Sequence, residues 1–260
     1  AIQIAAEPDE NPIYHPSSTV GRVTVDSLNI RKTASSSAAA LGKLTTGDVV
    51  EVISISGWWA KIKTGNITGY VHKTYLHLMN TSGSAVANRV IVLDPGHGGK
   101  DAGAVNGKVY EKNIVLDVSK RVKSLLEAAG AKVILTRSTD KFIELKDRPK
   151  VASNNYGDVF ISIHTNSVGS VGPLGTETFY NNVITSNAKD EMQLARTINS
   201  EIVKNANMVN RGIKFGDLAV LRPLEMPAIL LELGFLSNEK DLANKGENYE
   251  LSDEERELIN

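Results

Sequence analysis

Of the five histidines in the chain, His15, His72 and His77 lie before residue 80, whereas His97 and His164 each close an apolar run, Val-Ile-Val-Leu-Asp-Pro-Gly-His97 and Val-Phe-Ile-Ser-Ile-His164. Such runs read as buried strands of an α/β sheet, and ligands gather beyond the carboxyl ends of those strands. Two imidazoles placed there could meet over one sheet edge. With no cysteine in the chain, any metal must rest on His, Asp or Glu. A catalytic zinc takes three protein ligands and keeps a fourth position for water. Glu111 suits the third place, because it opens the helix expected just after the His97 loop. Gly96, Gly98, Gly99, Gly103 and Gly107 in that loop would let the backbone fold closely around a site. Glu232 ends the apolar run Ala228-Ile-Leu-Leu-Glu232, where an acid is costly unless paired or exposed at the edge. Beside a metal, it could take the proton of an attacking water and pass it to a leaving nitrogen.

Each of these residues also has a structural reading. A histidine at a strand end can serve as a hydrogen-bonding residue, Glu111 as an acid at a helix N-terminus, and Glu232 as a buried ion-pair partner. The spacings do not form a compact ligand motif such as His-Glu-x-x-His. The residues by themselves therefore point to a His–Glu–His metallohydrolase, with the structural roles left open.

The elements that must position these residues follow from periodicity. Residues 1–19, with Pro8, Pro12 and Pro16, read as a tether. Residues 20–79 hold short β-rich runs (Arg22–Val25, Asn29–Arg31, Asp48–Ser56, Trp59–Lys63, Gly69–Val71) separated by turn-formers, the pattern of a small barrel. Residues 80–88 read as a flexible linker. From residue 89 to 260 strands alternate with helices. Strands are expected at Val90–Asp94, Lys132–Thr136, Asp158–His164, Gly175–Tyr180, Leu218–Leu221 and Ala228–Leu233. Helices are expected at Lys112–Ala129, Glu144–Asn155 and Ala188–Asn207, and a short final one after Ser252. On one face of the first helix lie Val115, Val118, Val122, Leu125 and Ala129. This order predicts an α/β domain with a mostly parallel sheet flanked by helices, preceded by the small β-barrel. The 260 residues are 41% hydrophobic and 23% charged, enough to bury cores in two domains, and the net charge of −1 argues against nucleic-acid binding. No apolar run approaches the roughly 20 residues of a membrane span. The chain begins at Ala1, so a removed secretion signal would be invisible.

Several ordered motifs within residues 89–260 resemble the zinc-dependent N-acetylmuramoyl-L-alanine amidases of the amidase-3 family (AmiC/CwlV type). They are Leu93-Asp-Pro-Gly-His97-Gly-Gly99, Glu111-Lys-Asn113, Thr136-Arg137, Arg148 before Ala152, Ser162-Ile-His164-Thr-Asn166, Gly175-Thr-Glu177, Leu221-Arg222 and Met226-Pro-Ala-Ile-Leu-Leu-Glu232-Leu-Gly-Phe-Leu-Ser-Asn238. The resemblance implies zinc held by His97, Glu111 and His164, with Glu232 as the catalytic acid–base. It also implies hydrolysis of the amide between N-acetylmuramic acid and the L-alanine of the stem peptide, with Asn166 and Arg222 on the substrate side. Tyr180 is followed by only a short stretch before the next helix, too short for the occluding plug of some members, so an open site is expected. Residues 20–79 are similar to bacterial SH3 domains through Asn29-Ile-Arg31, Gly57-Trp-Trp59 and Gly69-Tyr-Val71. That likeness implies peptidoglycan binding and directs attention to Trp58, Trp59 and Tyr70, at least one tryptophan being expected in the barrel core. The expectation is a secreted, wall-associated monomer. A zinc peptidase of the stem peptide and a non-catalytic wall-binding protein are the alternatives.

Overall fold

The computed structural model describes residues 19–167, 173–181 and 188–243. The first unit is a seven-stranded antiparallel sheet. Its strands are β1 (Thr19–Val23), β2 (Leu28–Arg31), β3 (Ala40–Leu44), β4 (Val49–Ser56), β5 (Trp59–Thr64), β6 (Ile67–His72) and β7 (Leu76–Asn80), in the order β3-β2-β6-β5-β4-β1-β7. Alternation turns Ile30, Val50, Val52, Ala60, Ile62 and Val71 into one core. No tryptophan is in that core, contrary to expectation. Trp58 lies in the turn before β5 and packs on the second unit instead. The strands β3 and β7 escaped prediction; they are the two edge strands, and β3 is exposed along most of its length. Thr19 already belongs to β1; the rest of the predicted tether lies outside the described residues. Residues 81–88 are a tied turn rather than a free linker, since Asn80 Nδ2 donates to the carbonyls of Ser84 (2.8 Å) and Ala87 (3.1 Å).

The second unit is built on β8 (Val90–Pro95), β11 (Lys132–Leu135), β12 (Val159–Asn166), β13 (Thr176–Tyr180), β14 (Asn210–Phe215) and β15 (Ala228–Phe235), with a short hairpin of β9 (Val105–Asn106) and β10 (Val109–Tyr110) between β8 and β11. The order is β11-β8-β12-β15-β13-β14. The first four strands are mutually parallel, but β13 runs antiparallel to β15 and carries β14 parallel to itself. The sheet is therefore mostly parallel, as expected, but mixed, with a single antiparallel joint between β15 and β13. Strand direction depends on which edge a connection returns to, and residue types do not encode that. The predicted strand Leu218–Leu221 is a turn, where Leu221 N–H bonds the Leu218 carbonyl. Its apolar residues cap the sheet face rather than join it. The real strand is β14, whose Asn, Arg, Gly and Lys hide a partly exposed edge position.

Helices α1 (Glu111–Ala128) and α3 (Ala188–Asn205) lie on one face of this sheet. The short α2 (Arg148–Asn154) and the 216–227 loop cover the other, burying Val92, Ala152, Phe160, Val220, Leu221 and Leu224. A last short helix, α4 (Glu239–Ala243), follows β15. α2 is shorter than the predicted 144–155 because Pro149 sits in its first turn, where its missing N–H costs nothing. On α1, Leu125 is exposed and Leu126 makes the expected contact with Ile91 and Leu93. The helix predicted after Ser252 lies outside the described residues, as does most of the stretch after Tyr180 on which the open-site expectation rests.

Candidate metal centre

Glu111 is the first residue of α1 and is buried; its carboxylate reaches over the carboxyl edge of the sheet. Two backbone donors hold it, the N–H of Ala104 to Oε2 (2.7 Å) and the N–H of Thr165 to Oε1 (2.9 Å). His97 Nε2 lies 3.2 Å from Oε2, and His164 Nδ1 lies 2.9 Å from Oε1. One donor atom from each of His97, Glu111 and His164 falls within 4.8 Å of the others. Burial works to raise the Glu111 pKa, but the hydrogen bonds with His164 and His97 hold it far below the usual carboxylate range. A permanently charged carboxylate between two imidazoles suits a divalent cation.

The loop geometry shows why this cluster needs glycine. A Cβ on Gly96 would fall 2.2 Å from His164 Cε1, and one on Gly103 (φ +66°) 2.5 Å from Glu111 Oε2. His97 itself is held at φ +56°, in the left-handed region. Two arginines pin the loop: Arg137 Nη2 donates to the Gly96 carbonyl (2.6 Å) and Arg148 Nη2 to that of His97 (2.8 Å). Arg148 Nη1 also pairs with the fully buried Asp94 (2.9 Å), which accepts from Thr136 (2.6 Å) and Ser162 (2.8 Å) as well. The motif residues Thr136, Arg137, Arg148 and Ser162 thus support the loop. Sequence reasoning missed Asp101, whose Oδ2 lies 2.9 Å from His97 Nδ1 and leaves Nε2 facing the cluster. The available signal was an acid four residues after the histidine, within the same glycine loop.

Glu232 on β15 is the register partner of His164 on β12. Its Oε2 is buried with no hydrogen-bond partner. Burial pushes its carboxyl up to about 7; His164 pulls it down, and Glu111 and Glu177 add to the rise. On the next strand Glu177 is the register partner of Glu232, and Asn166 Nδ2 donates to it at 3.1 Å. Arg222 stands on the 216–227 loop and pairs with Asp217 at 2.7 Å. The structure thus joins His97, Glu111 and His164, sets Glu232 beside them with Asn166 near it, and does not join Arg222 to the group by any contact among the described residues.

A mixed α/β sheet with a His–Glu–His donor set at its carboxyl edge, next to an unpaired buried acid, has the layout of a metal-dependent hydrolase. Residues 91–252 match the N-acetylmuramoyl-L-alanine amidase family, and residues 26–77 match the bacterial SH3 domain family. The chain belongs to the N-acetylmuramoyl-L-alanine amidase family. A probable cell wall amidase LytH of Staphylococcus epidermidis is 35% identical over 233 residues, covering 85% of this chain and 76% of its own. The catalytic domain of CwlV, an N-acetylmuramoyl-L-alanine amidase from Bacillus (Paenibacillus) polymyxa var. colistinus, is 42% identical with a TM-score of 0.52. That alignment covers 60% of this chain and 85% of the other. An N-acetylmuramoyl-L-alanine amidase from Clostridium difficile 630 is 33% identical with a TM-score of 0.56, covering 66% and 87%.

Proposed function

We propose that this chain is a zinc-dependent peptidoglycan amidase that hydrolyses the bond between the lactyl carbonyl of N-acetylmuramic acid and the L-alanine nitrogen of the stem peptide. The observation that carries this reading is the unpartnered, buried Glu232 Oε2 beside the three-donor cluster. Family membership supplies the substrate. His97, Glu111 and His164 would hold the ion. Bound there, zinc supplies Lewis acidity toward the scissile carbonyl and lowers the pKa of water. Glu232 accepts the proton of the attacking water, and its raised affinity for protons lets it hold that proton until the L-alanine nitrogen leaves with it. Asp101 keeps His97 in the orientation that presents Nε2. Asn166 faces the substrate alongside Glu177, and Arg222 meets it beyond the reacting bond. The SH3-like unit binds the wall and so raises the local substrate concentration. The protein acts outside the cell, at the wall, as a monomer.

The test is product analysis on purified peptidoglycan by mass spectrometry. Stem peptides with free N-terminal L-alanine should appear, vanish on chelation and return with zinc. Glu232→Gln should lower turnover by ~10²–10⁴-fold at unchanged zinc content. Ends inside the stem peptide would make the chain a peptidase, and firm wall binding without new ends would make it a receptor.

A further inference from the structure

A row of charged residues continues past the metal centre. His164 on β12, Glu232 on β15 and Glu177 on β13 are successive register partners, so their side chains rise from one face at the site edge. On β14 the row ends in two cations. Arg211 Nε lies 2.7 Å and Lys214 Nζ 2.5 Å from the same oxygen, Oε2 of the buried Glu177. Glu177 is the one anion within ion-pair distance of either cation among the described residues. One carboxylate thus faces two cations, and one positive charge is left over.

Both cations are held in place yet accessible. The Arg211 guanidinium sits 4.8 Å from the centre of the Phe235 ring, and the Lys214 ammonium 5.9 Å from that of Phe179. Their side chains remain 32% and 40% exposed. One partner would compensate Glu177; a second, preorganised beside the reacting edge, offers a fork and a point charge to an incoming anion. Adjacent strands are ~4.8 Å apart, which puts β14 about 10 Å from the Glu232 strand. An extended peptide advances ~3.3–3.6 Å per residue, so the second or third residue beyond the scissile amide reaches that distance.

We propose that Arg211 and Lys214 form a subsite for a free carboxylate on the second or third residue of the stem peptide, making the enzyme selective for stems in which that group is not amidated. This rests on the amidase reading above. Glu177 acts as a positioning residue that keeps both cations aimed.

The experiment compares soluble muramoyl tripeptides with the full chain carrying zinc. One pair of substrates differs only by a free carboxylate or a carboxamide on the second residue, and another pair differs only in the same way on the third. The free-acid form of one pair should be cleaved about tenfold or more efficiently, through KM rather than kcat. Lys214→Met and Arg211→Gln, each leaving Glu177 one cation, should shrink that ratio several-fold. A preference in either pair supports the subsite and names the residue that fills it. Equal kcat/KM for acid and amide in both pairs overturns the subsite and leaves the amidase reading intact. A preference that both variants retain in full also overturns it. No cleavage of any substrate overturns the amidase reading, and the subsite with it.

Discussion

Glu232 and Glu191 each carry a carboxyl oxygen buried without a partner, and their surroundings give them different roles. Glu232 stands at the carboxyl edge of the sheet as the register partner of His164, next to the three-donor cluster. Glu191 is enclosed in the first turn of α3, 2% exposed, where burial pushes its carboxyl up to about 8 against the opposing pull of the N–H groups of Asn181 and Ala228. Its folded-state pKa thus lies above the ordinary 4.5. Stability linked to Glu191 is complete below about 4.5 and is lost as pH rises through about 8, because the unfolded chain releases that proton first. Glu191→Gln, neutral at every pH, should flatten this slope and stabilise the protein by on the order of 2–4 kcal/mol at pH 8 relative to its effect at pH 5. Urea denaturation at the two pH values measures it. The same stability difference at both would show that Glu191 does not titrate across this range.

At the scale of elements, the candidate metal centre depends on the junction of β8, the glycine loop and α1. The loop brings its backbone against the ligands themselves: the missing Cβ of Gly96 leaves room for the His164 ring. Gly96→Ala should therefore displace His164 and reduce zinc affinity by 10-fold or more. The barrel and the far side of the sheet, which the loop does not touch, should keep their structure. Zinc titration alongside circular dichroism separates the two effects, and unchanged affinity would show that the loop yields without moving the ligand. Much of this junction was legible in the sequence, because an apolar run, a glycine cluster and a following acid each have a direct physical meaning. The buried support was not. Asp94 and Arg148 are 54 positions apart, and only the packing of α2 beneath the loop makes them an ion pair.

At the scale of the molecule, the SH3-like unit docks on the amino edge of the sheet. The buried Lys73 donates to Asp158 and to the Tyr156 carbonyl, each at 2.6 Å, while Trp58 meets Tyr156 edge-on. Asp158 also accepts the N–H of Val90, so one carboxylate ties the unit to the start of β8. From Asp158 to His164 is six residues of extended chain, about 20 Å, so the docked unit stands well away from the reacting edge. Lys73→Ala leaves the partly buried Asp158 without its cation and should destabilise by about 3 kcal/mol. It should also separate the melting of the two units in calorimetry while leaving kcat on a small soluble muropeptide unchanged. A single undiminished transition would show that the Lys73 contact does not couple them. This docking also places Trp58 against the second unit, leaving Trp59 and Tyr70 half-buried on β5 and β6 and Tyr75 exposed.

The sequence by itself determined the two-part organisation, the strand–loop–helix that carries His97 and Glu111, the strand ends that carry His164 and Glu232, and the likeness to the amidases. These are local matters: periodicity, turn chemistry and residue type act over a few positions, and the ordered motifs lie along one line of chain. Only the tertiary structure decided that β13 and β14 run against the other four strands. It is that reversal that brings Glu177, Arg211 and Lys214 into line with Glu232. Register across a sheet joins residues tens of positions apart through backbone hydrogen bonds that any residue type but proline can make, so their side chains carry little record of it.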